Sequence, residues 1–309
     1  AYASAVYKYP QAAFPYEDLL HTNSNRSQDV GEYELFDALR DEWLQQRYFD
    51  VTIEYAKAAP EDLCWRITVT NRGPDAAPIH VLPQLWYRNT WSWKPGQCAP
   101  RITKSANGSA VTNHPELGDR WFSVATSTGD GPVMLFCENE SNNAVLFGAP
   151  NASATVKDGI NDYVVHGDLD AVSRTEGSKV AAHVTATLQA GESLTVTVRF
   201  APAELASPFD DADTVLAVRR GEADAFYHDV AAADLSADER LVQRQALAGL
   251  LWSKQFYNFR VRRWLKGDPG QPPPPEERWH GRNTDWQHLA VSDLILMPDA
   301  WEYPWFAAW

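Results

Sequence analysis

The sequence is short of several things that decide a protein's class. Its 309 residues include three cysteines, Cys64, Cys98 and Cys137, odd in number and far apart. They form neither a disulfide framework nor a spaced zinc set. Thiols used so sparingly belong in a reducing compartment, and a cytoplasmic protein is expected. No run of about 18 apolar residues occurs, so no membrane-spanning helix is expected. Positive charge is scarce: 27 Lys and Arg stand against 41 Asp and Glu, a formal net charge of −14. That balance works against the general phosphate attraction on which nucleic-acid binders rely. Neither G-x-x-x-x-G-K-[ST] nor G-x-G-x-x-G is present, and there is no G-x-S-x-G nucleophile elbow. His280 and His288 lack the i, i+4 spacing that sets two imidazoles around zinc on one helical face. No cofactor and no metal are expected.

What is present in the first two hundred residues is strand pattern. In YFDVTIEYAK, Phe49, Val51, Ile53 and Tyr55 alternate with Asp50, Thr52 and Glu54. In LCWRITVT, Leu63, Trp65, Ile67 and Val69 do the same. Period-two alternation places one face of each strand in a core and the other in water. AAPED is short enough to join two adjacent antiparallel strands, and NRGPDAAP supplies a turn. IHVLPQLWYR follows as a strand that Pro83 marks as an edge or a bulge. WFSVATS, VMLFCE, AVLFG, HVTATL and LTVTVRF extend the series, with QAGES read as a hairpin loop between the last two. Short strands with polar turns and no intervening helices predict an antiparallel β-sandwich over residues 1–205.

Beyond Ala206 the period changes. DADTVLAVRRGEADAFYHDV reads as a helix, and residues 206–235 as a helical linker. Ser236 and Glu239 form an S-x-x-E capping box, which satisfies two orphan backbone donors. The spacing predicts one long helix from there to Gly267, with Leu241, Ala248, Leu251 and Trp252 on a shared face. Residues 236–309 are read as the opening of a helical domain. Within it, the consecutive prolines Pro272–Pro275 predict an extended, rigid surface loop.

Aromatic rings concentrate in two places. MPDAWEYPWFAAW carries Trp301, Tyr303, Trp305 and Trp309 beside Glu302, with Arg282 and Asn283 a little upstream. LWYRNTWSW carries Arg88, Trp91 and Trp93. Aromatic clusters fill cores more often than they bind ligands. Here polar and acidic residues stand among the rings, as in a polar-lined pocket. A sugar has apolar ring faces and a polar equator, so its site needs flat rings with hydrogen-bonding groups at their edges. Glycoside hydrolysis adds a pair of carboxyl groups across the scissile bond. For Arg88, Trp91 and Trp93, local packing and the wall of an interdomain pocket are equally good readings.

The run GRNTDWQHLAVSDLILMPDAWEYPWFAAW resembles the opening of the catalytic domain of glycoside hydrolase family 63 and its bacterial relatives, the glucosidase and mannosylglycerate-hydrolase-like proteins. KYPQAAFPYEDL, RYFDVTIEYAKAAPEDL and HVLPQLWYRNTWSW are similar to the preceding β-domain of the large bacterial members. The resemblance covers nearly the whole chain and is most specific at its C-terminal end. It implies a supersandwich-like β-sandwich followed by an (α/α)6 toroid, of which this sequence holds the first helices. It also implies inverting hydrolysis of α-linked glucosyl or mannosyl residues. Trp301, Glu302, Tyr303, Trp305, Trp309, Arg282 and Asn283 would then bind the carbohydrate. The family's general-acid Asp would directly follow Trp309, and its general-base Glu lies far downstream, so the sequence reads as an N-terminal part. A disaccharide phosphorylase and a non-catalytic carbohydrate-binding sandwich are the rival readings. On this mapping, the purified 309-residue chain hydrolyses no α-glucoside or α-mannoside. A reducing-sugar assay that detected efficient turnover would overturn the mapping.

Overall fold

A computed structural model describes residues 1–93 and 96–296. The chain divides into two compact units. Residues 1–87, 100–140 and 153–221 form the first, and residues 88–99, 141–152 and those from 222 onward form the second. The boundary at Gly221 falls inside the helix Ala212–Val230.

In the first unit the alternating segments pair antiparallel. β1 (Tyr2–Pro10), β2 (Tyr48–Ala59) and β3 (Asp62–Asn71) lie side by side, with Val51 opposite Val69 and Ile53 opposite Ile67. β4 (Ala77–Val81), β5 (Gln84–Trp86), β6 (Arg101–Lys104), β7 (Ala110–His114) and β8 (Gly118–Thr126) follow. Then come β9 (Val133–Cys137), β10 (Glu176–Gly177), β11 (Lys179–Leu188) and β12 (Ser193–Ala201). The larger sheet has the order β1-β2-β3-β12-β8-β7-β6-β10. In the smaller sheet β11 pairs with β9 on one side and with β4 and β5, in one continuous register, on the other. Pro83 sits at the break between β4 and β5. It has no N–H for the ladder, but its carbonyl still accepts from Ala182 N at 2.9 Å.

The two sheets close on one core, which makes this unit a β-sandwich. Phe49, Ile67, Val69, Phe122, Val196 and Val198 from the larger sheet meet Ile79, Val81, Phe136, Val180 and Val184 from the smaller one. β9 uses both of its faces. Met134 and Phe136 enter this core, while Leu135 and Cys137 join a second cluster with Ile160 and Val172. Ile160 belongs to the helix Gly159–His166. Burial pushes the Cys137 thiol up to about 11, so it packs as a neutral, inert group. On the opposite face of the larger sheet, Arg199 is 4% exposed. It donates to Asp62 Oδ2 at 2.7 Å and to Asp211 Oδ1 at 2.8 Å.

Four sequence expectations are corrected. Helices do intervene between the strands: Tyr16–Ser24, Leu35–Ala38 and Arg40–Leu44 separate β1 from β2, and Gly159–His166 lies between β9 and β10, each too short to carry a strong 3.6-residue pattern. QAGES is not a hairpin loop. β11 and β12 belong to different sheets, so Gln189–Glu192 carries the chain from one sheet to the other. AVLFG is not a strand. Asn143–Phe147 is a helical turn, with Asn142 Oδ1 accepting from Val145 N at 3.2 Å and Gly148 ending it at φ +64°. A short apolar run has no length from which to tell strand from helix, and here the caps decide. The long helix is also shorter than its pattern. It spans Ala237–Trp252 and opens with the expected box: Glu239 N donates to Ser236 Oγ at 3.3 Å, and Ser236 N to Glu239 Oε2 at 2.8 Å. It stops at Ser253, and β13 (Lys254–Arg260) pairs with β14 (Ala290–Leu296). Phe256, Tyr257 and Phe259 favour strand over helix. A separate short helix, Val261–Lys266, then ends at Gly267. The expected apolar face of the longer helix is uncovered among the described residues, for Leu241, Leu251 and Trp252 are exposed.

The crossing between the sheets depends on Asn71, which is fully buried. Its Nδ2 donates to Leu188 O at 2.9 Å and to Asp75 O at 2.8 Å. Its Oδ1 accepts from Gly73 N at 2.8 Å and from Gln11 Nε2 at 2.7 Å. Its backbone accepts from Gly191 N at 2.9 Å and donates to Glu192 O at 3.0 Å. The side-chain amide thus uses its full donor and acceptor capacity. Replacing it with Ala strands several buried groups, and Asn71→Ala should cost about 3 kcal/mol or more, since each unsatisfied group costs ~1–3 kcal/mol. Urea unfolding measures this directly, and a loss below about 1 kcal/mol would mean that the crossing is held by something else.

Candidate ligand-binding clefts

In the second unit, the end of the hairpin builds a site from basic and aromatic side chains. Arg260 closes β13 opposite Ala290, and Val261 N donates to Leu289 O at 3.2 Å. Val261 and Leu265 are fully buried and anchor the short helix. This leaves Arg262 and Lys266 exposed and Arg263 half-buried. Gly267 adopts φ +74° and ψ 176°, a region that only glycine occupies without strain. A Cβ at Gly267 would lie 2.8 Å from Pro274 Cδ, so the turn also needs glycine for space. The chain then presents Asp268, whose Oδ1 accepts from Arg263 Nε at 2.8 Å.

The 88–93 loop joins this segment. The Arg263 guanidinium lies 4.2 Å from the Trp93 ring centroid, and Arg88 lies 5.0 Å from the same ring and 5.6 Å from that of Phe256. These are cation–π distances. Gly270 N donates to Ser92 O at 3.3 Å.

Two clefts result, sharing Arg260, Arg263 and Gly267. The smaller, ≈ 380 Å³, lies among Phe147, Phe259, Trp264 and the prolines Pro272–Pro275. The proline run therefore belongs to the body of this unit and forms a wall. Arg278 Nη1 donates to Trp264 O at 3.0 Å and ties the far side of that wall. The larger, ≈ 580 Å³, is lined by Trp93, Arg260, Arg262, Arg263, Lys266, Gln287 and His288, with the main chain around Leu289. Chemically the larger cleft offers four basic side chains and an indole, and among the described residues its lining contains no carboxylate.

Of the residues singled out from sequence, Trp93 lines the larger cleft and Arg88 covers its ring. Trp91 is buried, at 8% exposure, and packs rather than lines. Arg282 is exposed, and neither it nor Asn283 lines either cleft. Asn283 instead makes a turn, at φ +70°, with its carbonyl accepting from Trp286 N at 3.0 Å. Trp301, Glu302, Tyr303, Trp305 and Trp309 lie outside the described residues. Sequence reasoning missed Arg260, Arg262, Arg263 and Lys266. Their signal was present: RVRRWLK is basic at four of seven positions in a chain of net charge −14. Assigning those residues to one long helix hid it.

Among the described residues, no helix is long and apolar enough to cross a membrane. No protein-family model matches the sequence. The uncharacterized protein YMR196W of Saccharomyces cerevisiae is 36% identical over an alignment of 352 positions, covering 100% of this chain and 32% of the relative. The chain thus spans about a third of that relative's length. A solved structure provisionally named a kojibiose phosphorylase, from human microbiome, matches 69% of this chain and 22% of its own, at 10% identity and a TM-score of 0.23. A score that low carries no argument about fold or activity.

The turn at Gly267 should tolerate no side chain. Gly267→Ala is expected to lower stability by about 1–3 kcal/mol, the cost of forcing that backbone region, and to displace Pro274. Thermal unfolding beside tryptophan fluorescence reads both effects. An unchanged Tm and spectrum would show that the turn is not strained.

Proposed function

We propose that this chain is the N-terminal part of an inverting glycoside hydrolase acting on α-linked glucosyl or mannosyl residues, with a supersandwich-like β-domain leading into an (α/α)6 toroid. The reading is carried by the run GRNTDWQHLAVSDLILMPDAWEYPWFAAW, which combines flat aromatics, a carboxylate and planar hydrogen-bonding groups. Two structural features are compatible with it: an antiparallel β-sandwich precedes helices in the chain, and the helix Ala237–Trp252 leaves an apolar face uncovered. The substrate is a carbohydrate, an oligosaccharide or a small glycoside.

In this account Trp301, Tyr303, Trp305 and Trp309 form a stacking wall, and Glu302 binds sugar hydroxyls or orients a neighbour. Arg282 and Asn283 belong to a supporting loop beside that wall. An aromatic wall also favours the neutral form of a nearby carboxylic acid, which a general acid needs near neutral pH. The catalytic carboxylates themselves are an acid following Trp309 and a downstream base, separated by room for one water as inversion requires.

The test uses the full-length protein. Trp305→Ala should lower kcat/KM on an α-glucoside or α-mannoside by about tenfold or more, comparable to the loss of one stacked ring worth ~1.5 kcal/mol. An unchanged kcat/KM would remove Trp305 from the sugar site and the wall with it.

A further inference from the structure

The larger cleft has a property that glycoside cleavage does not use. Arg260, Arg262 and Lys266 line it together with Arg263, and only Arg263 has an acidic partner, Asp268. Arg260, Arg262 and Lys266 make no ion pair among the described residues, although acidic residues are in excess along the chain. Arg262 and Lys266 stand four apart on one short helix, where like charges repel. Arg260 and Arg263 border the same space and add to that repulsion. Packing does not require the cluster, because Val261 and Leu265 are the buried anchors. Such an arrangement is stabilised by a multivalent anion placed among the cations. Guanidinium groups offer paired N–H donors to tetrahedral oxyanions, and a lysine adds a point charge.

We propose that this cleft binds a phosphate-class oxyanion, either free inorganic phosphate or a phosphate carried on a sugar. Gln287 and His288 also line it, and the volume of ≈ 580 Å³ exceeds what phosphate alone fills. The proposal does not rest on the glycosidase reading, because the cations that carry it, Arg260, Arg262, Arg263 and Lys266, are not among the residues assigned there to the sugar.

Isothermal titration of the 309-residue chain tests this, with inorganic phosphate in one arm and glucose 6-phosphate in another, at constant ionic strength set by chloride. Saturable binding is expected, with neutral glucose giving none at this site. Arg260→Gln, Arg262→Gln and Lys266→Gln should each weaken binding by at least about fivefold, as the loss of a charge-assisted contact predicts. Arg40→Gln, in the first unit, removes the same charge and should leave the constant unchanged. All of these side chains except Arg260 are on exposed positions of short helices, and matching Tm values for the variants would verify that folding is intact. Tighter binding of glucose 6-phosphate than of phosphate assigns the site to a sugar phosphate, and equal or weaker binding assigns it to the free ion. The proposal is overturned if neither anion saturates the chain, or if the cleft variants bind as tightly as the unmodified protein. Neither result touches the hydrolase reading, which is measured by turnover of the full-length protein.

Discussion

One buried amide holds the first unit in its topology. The chain must leave the smaller sheet at Leu188 and enter the larger one at Ser193 within four residues, a turn in which Glu192 N donates to Gln189 O at 3.0 Å and Gln189 N to Glu192 Oε2 at 2.7 Å. Asn71 ties that turn to the strands on either side of it. It ends β3 in the larger sheet, receives the carbonyl end of β11 from the smaller, and fixes the turn at Gly73. Buried polar groups in a low-dielectric core are costly unless every donor and acceptor is used. Here all are used, so the crossing has one arrangement. The shared core follows from it: Val180 and Val184 on β11 and Val196 and Val198 on β12 can face each other only because the connection reverses the chain between sheets.

The second unit relies on a different device. Val261 and Leu265 pin a single helical turn, and Gly267 then redirects the chain into the proline wall. Arg260, Arg262, Arg263 and Lys266 are thereby gathered on one short segment, and Trp93 from a distant part of the sequence is held against it by Arg263 and Arg88. Arg263, held by Asp268 and by the Trp93 ring, is a pre-positioned guanidinium, and such a group loses little entropy on binding a ligand.

The strands were legible in the sequence where alternation ran for eight or more residues, as in YFDVTIEYAK and LCWRITVT, because one-sided burial writes itself into every second position. The S-x-x-E box at Ser236 was legible because capping is local. The fate of QAGES was not, since a short polar loop looks the same whether its flanking strands pair or part. AVLFG was ambiguous by length. The Lys254–Arg260 strand was hidden because its neighbours on both sides are helical. Trp93 was found as a candidate by its aromatic context, whereas the basic cleft was missed because its members come together only after the helix breaks at Ser253. Arg282 and Asn283 were drawn in by proximity to an aromatic run, and in the structure Asn283 serves the backbone of a turn.

The proposed reaction would leave a stereochemical record that binding alone cannot imitate. The most direct measurement is proton NMR of the first product released by the full-length protein from an α-linked glucoside or mannoside, taken before mutarotation. An inverting hydrolase gives the β-anomer first, and the β-anomer is the expected product. Initial release of the α-anomer, or no cleavage of any α-linked glucoside or mannoside, would contradict the proposed function.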